Sequence, residues 1–172
     1  MARSPARKTK SLWSQTGPTP RLLFGAFAIA AIGLLGLTPR EFFGLSVAWP
    51  YAALWGAVGW GRVGLSLRPM AFLIVFGLVQ DVTFHAPLGC FVILNLLAYG
   101  ASAAIADMFD VMNEPLIAIL APILLFSGAF LLLWLMASTL EDHAVRAMPL
   151  FASLLTTGAA YAVLHRMFDL GR

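Results

Sequence analysis

Six long runs of apolar residues follow one another along the chain, separated by short segments that contain proline, charged or other polar residues. A helix that crosses a bilayer needs roughly 20 mostly apolar residues. The pattern predicts six membrane-spanning helices with approximate bounds 22–37, 43–61, 65 or 69 to 82, 87–106, 115–140, and 146 or 149 to 168. We therefore expect a basic tail over residues 1–21, followed by one all-α domain, a six-helix transmembrane bundle, over residues 22–172.

The third run contains a carboxylate that is costly to bury. Its apolar core, residues 70–79, has a length of about 15 Å as a helix. Gln80 and Asp81 are therefore expected within the thickness of the membrane. An ionisable residue there is a functional-site candidate, because it costs several kcal/mol unless it finds a partner. The candidate polar partners of Asp81 are Gln80, His85, Asn95 and Tyr99, and the alternative is an acid at a helix end that contacts water.

Composition favours a membrane protein over a soluble one. Hydrophobic residues make up 60% of the 172 residues and charged residues 11%, whereas soluble domains carry about 25% charged residues. The single cysteine, Cys90, excludes a disulfide within the chain.

The distribution of positive charge predicts the orientation. Lys and Arg concentrate in the cytoplasmic segments of membrane proteins. We therefore interpret residues 1–21 as a cytoplasmic segment attracted to anionic lipids, with no role in nucleic-acid binding. Only Arg40 and Arg146 fall in the outer loops of the six-helix interpretation. The other nine basic residues lie on the same side as the N-terminus: Arg3, Arg7, Lys8, Lys10, Arg21, Arg62, Arg68, Arg166 and Arg172. Both termini are predicted to be cytoplasmic.

No complete set of catalytic or metal-binding residues is found in the sequence. Ser127 and His165 lie in the fifth and sixth runs, as in intramembrane serine proteases, but Leu125 stands where the Gly-x-Ser-Gly motif has its first glycine. No second His or Cys stands at ligand spacing from His85. We expect a protein without enzymatic activity, cofactor or metal.

The first apolar run carries small residues at helical spacing. Ala26 and Ala30 are four residues apart, and Gly33 follows. Small residues at this spacing let membrane helices approach closely. The face that they form either docks a helix of another protein or packs inside this chain's own bundle, and the sequence leaves both interpretations open.

The segment around Asp81 resembles the signature of the MreD family of rod shape-determining membrane proteins. That family has Gly-Leu-x-x-Asp at the end of one span and a Pro-Leu-Gly turn about six residues later. In this sequence Gly77, Leu78 and Asp81 match the first part, and Pro87, Leu88 and Gly89 match the second. The sequence departs from the family at His85, where a loop glycine is common.

The resemblance implies a non-enzymatic scaffold of the bacterial cell-elongation machinery in the inner membrane. Proteins of this family bind MreC, which has a single membrane span, and help couple MreB filaments to RodA and a penicillin-binding transpeptidase. The implied fold is a six-helix bundle similar to the substrate-binding component of energy-coupling-factor transporters. The alternative is a small-molecule-binding component of a transporter, with Asp81, Asn95 and Tyr99 in its pocket.

We predict an architectural role for Asp81. Its carboxylate is placed to accept hydrogen bonds from the first N–H groups of the next helix, or from Asn95 and Tyr99. Replacement by Asn keeps an acceptor oxygen and is expected to have a mild effect, whereas replacement by Leu is expected to disrupt the angle between the two helices.

Overall fold

The computed structural model of the chain describes residues 17–36, 41–42, 45–46, 48–109, 115–140 and 147–170. These residues contain six α-helices, one short 3₁₀ helix and one pair of two-residue strands. The helices are α1 (Pro18–Gly36), α2 (Ala52–Gly61), α3 (Leu67–Thr83), α4 (Cys90–Met108), α5 (Pro115–Leu140) and α6 (Ala147–Leu164). The 3₁₀ helix His165–Met167 follows α6, and strand β1 (Glu41–Phe42) pairs antiparallel with β2 (Leu45–Ser46).

Four of these helices, α1, α4, α5 and α6, are long and apolar enough to cross a membrane. This finding fits a multi-pass membrane protein. The other two are shorter, with 10 residues in α2 and 17 in α3. At helical rise α2 is only about 15 Å long, so it does not cross a hydrocarbon core by itself.

The second predicted span, residues 43–61, is wrong in its first half. Helix α2 begins only at Ala52, after strand β2 and a non-helical segment over residues 48–51. Hydrogen bonds from one backbone group and one side chain of that segment reach other helices. The indole N–H of Trp49 donates to the carbonyl oxygen of Ile32 at 2.9 Å, and the N–H of Tyr51 donates to Thr157 Oγ1 at 3.0 Å. Non-helical backbone is tolerated at membrane depth where protein surrounds it.

Helix α2 lies at the centre of the bundle. All ten of its residues are buried, and its most extensive contact is with α4. Its glycines permit this packing: a β-carbon at Gly61 would lie 2.7 Å from the carbonyl oxygen of Tyr99, and one at Gly59 would clash with Phe168. Trp55 and Trp60 fill the remaining space and are buried.

Four arginines lie at one end of the bundle, which we call the basic end: Arg21, Arg62, Arg68 and Arg166. They are all the Lys and Arg residues within the part of the chain that the structure describes. Three contacts join helix ends there: Arg68 Nη1 to Thr19 Oγ1 at 3.1 Å, Arg62 Nη2 to the carbonyl oxygen of Ala118 at 3.2 Å, and Arg21 Nη1 to the carbonyl oxygen of Asp169 at 3.5 Å.

These contacts show that consecutive helices run in opposite directions. The beginnings of α1, α3 and α5 and the ends of α2 and α6 meet at the basic end. The hydroxyl of Tyr99, the middle residue of α4, contacts the turn between α2 and α3 there. Both ends of the described chain therefore lie at the same end of the bundle.

Candidate functional site: the joint between α3 and α4

Helices α3 and α4 form the most extensive helix pair in the structure, and Gly77 determines how closely they approach. A β-carbon at Gly77 would lie 2.6 Å from the α-carbon of Val92 and 2.7 Å from its backbone nitrogen. The two helices therefore touch through their backbones at this point. Any side chain larger than hydrogen would push them apart.

One turn after Gly77, the carboxylate of Asp81 caps the beginning of α4. The side chain of Asp81 has no exposed surface. Its Oδ2 accepts the backbone N–H of Gly89 and its Oδ1 accepts that of Phe91, both at 2.7 Å. The first N–H groups of a helix lack partners within the helix, and the positive end of the helix dipole stabilises an anion there. Of the two arrangements expected for Asp81, the structure has the first.

The chain leaves α3 through a left-handed residue, His85. The N–H of Ala86 donates to the carbonyl oxygen of Asp81 at 2.9 Å, and the N–H of His85 donates to that of Val82 at 3.4 Å. This pair of bonds is the Schellman arrangement, which needs a left-handed residue after the helix. His85 has φ +54°, so it takes the conformation that a glycine adopts without strain.

The turn into α4 requires a left-handed backbone at Gly89 and leaves the side chain of Leu88 at the surface. Gly89 has φ +95° and precedes the first residue of α4. The carbonyl oxygen of Pro87 accepts the N–H of Cys90 at 3.1 Å. The side chain of Leu88 is 79% exposed. Gly77, Asp81 and Gly89 thus have direct structural roles in the joint, Pro87 contributes its carbonyl, and Leu88 has none within it.

The other polar residues expected near Asp81 bind elsewhere. Asn95 Nδ2 donates to Gln80 Oε1 at 3.0 Å, which links α3 and α4 a second time. The hydroxyl of Tyr99 accepts the N–H of Ser66 at 2.7 Å and lies 3.0 Å from the carbonyl oxygen of Gly64. Tyr99 therefore fixes the turn before α3, far along α4 from the cap at Asp81. The side chain of His85 is exposed.

The small residues of α1 divide between the core and the surface. Ala26 is buried inside the bundle, Ala30 is half-buried, and Gly33 is exposed with open space around it. Ala30 and Gly33 line a cavity of about 390 Å³ between α1 and α3, which we call the α1–α3 groove. Its other walls are mostly apolar and include Val75, Phe76, Val79, Leu34 and Tyr51.

Sequence reasoning missed Thr157, which connects α6 to the non-helical segment. Thr157 is fully buried. Its hydroxyl donates to the carbonyl oxygen of Ser153 at 2.6 Å and accepts the N–H of Tyr51. Its own carbonyl accepts the indole N–H of Trp55 at 2.9 Å. The available signal was a hydroxyl within an apolar run, but such a hydroxyl usually bonds only to its own helix.

Among the described residues, no group of three or more His, Cys, Asp or Glu side chains is placed to hold a metal ion. Ser127 and His165 both line a cavity between α5 and α6. The ring Nδ1 of His165 lies 2.9 Å from the carbonyl oxygen of Ala162. Comparisons of the chain with protein-family models, with curated proteins and with solved structures found no match.

Proposed function

We propose that this protein is a non-enzymatic membrane scaffold of the MreD type, which binds MreC and helps to couple MreB filaments to peptidoglycan synthesis by RodA and a penicillin-binding transpeptidase. The observation that carries the proposal is the joint between α3 and α4. Gly77, Asp81 and Gly89, which match the family signature, converge there with separate structural roles. The signature therefore has a physical reason in this chain.

The environment of Asp81 supports an architectural role over proton or ligand chemistry. Both carboxylate oxygens accept short hydrogen bonds from backbone N–H groups. The side chain has no exposed surface, so the carboxylate contacts packed protein and not an open binding site. The function of this carboxylate is then to fix the angle between two helices.

In the proposed topology the chain crosses the bacterial inner membrane six times, with the basic end in the cytoplasm. The second crossing combines the non-helical residues 48–51 with α2. Four extended residues cover about 13 Å and ten helical residues about 15 Å. Their sum is close to the roughly 30 Å of a hydrocarbon core. The four arginines of the basic end support the orientation, since basic residues concentrate on the cytoplasmic side.

The α1–α3 groove is the surface that we assign to the single span of MreC. It is open, largely apolar and lined by two small residues of α1, Ala30 and Gly33. Helices associate in lipid through close packing, which small residues permit. Ala26 belongs to the core, so the docking face is shorter than the sequence predicted.

The test is recovery of the complex from detergent extracts after co-expression with MreC. Ala30→Trp fills the groove and should lower the recovery of MreC at least tenfold. Ala101→Trp is the matched control, because Ala101 is exposed on α4 and lines neither the α1–α3 groove nor the cavity between α5 and α6. Both variants must reach the membrane in equal amounts. Undiminished recovery with Ala30→Trp would contradict the assigned surface, and failure of the parent chain to retain MreC would contradict the function.

The alternative function, small-molecule binding for a transporter, required a pocket formed by Asp81, Asn95 and Tyr99. In the structure these side chains bind three different parts of the chain and line none of the cavities described above. These three residues therefore do not support the small-molecule-binding function.

A further inference from the structure

A second groove runs between α5 and α6 at the surface of the bundle, with a volume of about 770 Å³. Most of its lining is apolar, and Ile119, Ile123 and Leu155 are more than half exposed along it. Gly158 widens the groove, because a β-carbon there would meet nothing within 4 Å. The groove therefore presents an open apolar channel along two helices that are long enough to cross a membrane.

The groove becomes polar and cationic where it reaches the basic end. Arg62, Tyr161 and His165 line it there. Arg62 Nη2 donates to the carbonyl oxygen of Ala118, which holds the guanidinium beside the first turns of α5. An arginine has five N–H donors, so this bond leaves several for an acceptor in the groove. The first N–H groups of α5 add partial positive charge at the same end.

The hydroxyl of Tyr161 provides an independent indication of a ligand. Tyr161 is only 5% exposed, and its hydroxyl oxygen is buried without a hydrogen-bond partner among the residues that the structure describes. Its ring is fixed by an edge-on contact with Phe126, with centroids 5.1 Å apart. A buried hydroxyl normally has a partner. An acceptor located beside Arg62 would satisfy it.

We propose that this groove binds an anionic phospholipid. The phosphate accepts hydrogen bonds from the Arg62 guanidinium and the Tyr161 hydroxyl, and an acyl chain lies along α5 and α6 against Ile119, Ile123 and Leu155. Asp169 acts electrostatically on Tyr161, as does Arg62, and Asp107 lies near the end of α4. Among the described residues, the four arginines of the basic end outnumber these two carboxylates. The apolar length of the groove favours a lipid over a free phosphate, and its cationic mouth favours an anionic lipid over a neutral one. The inference is independent of MreC.

The test measures phosphatidylglycerol bound to the purified protein by native mass spectrometry in detergent. Arg62→Gln should reduce the bound fraction about tenfold and Tyr161→Phe several-fold. Gly158→Leu should block the apolar part of the groove and reduce it similarly. Arg68→Gln is the matched control, because Arg68 lies at the same end but donates to Thr19, and it should bind as the parent does.

Three outcomes would overturn the proposal. Equal losses with Arg62→Gln and Arg68→Gln would mean that the basic end attracts lipid without a defined site. Equal retention of phosphatidylcholine and phosphatidylglycerol would mean that the groove accepts any lipid. Displacement of phosphatidylglycerol by millimolar inorganic phosphate would indicate a site for the free anion. Thermal unfolding of each variant without added lipid identifies any loss that follows from misfolding, and Tyr161→Phe, which keeps the ring, remains informative if Arg62→Gln misfolds.

Discussion

Gly77 on α3 and Val92 on α4 are in backbone contact, since a β-carbon on Gly77 would lie 2.6 Å from the α-carbon of Val92. This contact brings the beginning of α4 close enough for Asp81, one turn further along α3, to reach two of its N–H groups. The close approach and the cap therefore depend on each other.

The contact predicts a large effect of one methyl group. Gly77→Ala should lower the free energy of unfolding by about 1–3 kcal/mol, because overpacking displaces backbone. Gly100→Ala on α4 is the matched control, since its new methyl meets nothing within 4 Å, and it should be neutral or stabilising by about 0.5–1 kcal/mol. Thermal unfolding in detergent, followed by circular dichroism, measures both. Equal effects of the two substitutions would contradict the backbone contact.

Asp81→Asn should destabilise the protein more than the mild effect that the sequence analysis predicts. The amide keeps one acceptor oxygen and turns an N–H₂ donor toward the second backbone N–H. We expect a loss of about 1.5–3 kcal/mol for Asn and roughly twice that for Leu, since each bond to the charged carboxylate is broken in turn. Asp107→Asn, at an exposed position of α4, should have no measurable effect. Unfolding midpoints check this prediction: the midpoint should be highest for the parent chain, lower for Asp81→Asn and lowest for Asp81→Leu. Equal losses for the two substitutions would mean that the charge itself has the larger role.

His85→Gly should stabilise the protein. A left-handed conformation costs a non-glycine residue about 1–2 kcal/mol, part of which is offset because glycine makes the unfolded chain more flexible. We expect a net gain of about 0.5–1 kcal/mol, and a loss with His85→Val because its β-branched side chain is worse in this conformation. If His85→Gly lowers the unfolding midpoint, the imidazole itself makes a necessary contact.

Thr157→Val should separate α6 from the non-helical segment. The substitution preserves shape but leaves the N–H of Tyr51 without an acceptor, at a cost of about 1–3 kcal/mol. Thr156→Val is the control, because within the described part of the chain the hydroxyl of Thr156 bonds only the carbonyl oxygen of Ser153 in its own helix, at 3.0 Å. Hydrogen exchange of the Tyr51 amide should accelerate in Thr157→Val and remain unchanged in Thr156→Val.

The proposed topology predicts opposite locations for two reporters. A fusion at Arg172 should report the cytoplasm, and one within residues 141–143 should report the outer side, because α6 is the one membrane-length helix described between them. Alkaline phosphatase and fluorescent-protein fusions distinguish the two sides. Labelling of both positions from the same side would contradict the six-crossing topology.

Apolar run length predicted most helices well, because a long apolar run has few alternatives to a membrane helix. The fifth run was predicted as 115–140, and α5 has those bounds. The prediction for the second run was wrong in its first half, because length and hydropathy do not distinguish a lipid-facing helix from a segment that neighbouring helices surround. Residues 48–51 depend on acceptors from α1 and α6. No local pattern encodes the second acceptor, Thr157, which lies more than a hundred residues from Tyr51.

The site was predictable to a similar extent. A carboxylate just before a turn indicates a helix cap, and that expectation located Asp81 correctly. Asn95 and Tyr99 were placed on one helix face because they are four residues apart. They bind different partners because α4 is long: Asn95 reaches Gln80, whereas Tyr99 reaches the turn before α3. Sequence spacing shows which face of a helix a residue lies on, but only the packing of the helices shows which partner it reaches along that face.

The central position of α2 also constrains how the protein is made. A ten-residue helix without a lipid-facing side cannot leave the translocon as an independent segment, since its ends and the preceding non-helical backbone would lie unpaired in hydrocarbon. The partners that satisfy that backbone include Thr157 in α6, which is synthesised after the other five described α-helices. Newly made chains must therefore shelter the region of α2 from lipid until α6 has inserted, because α6 supplies the acceptor for Tyr51.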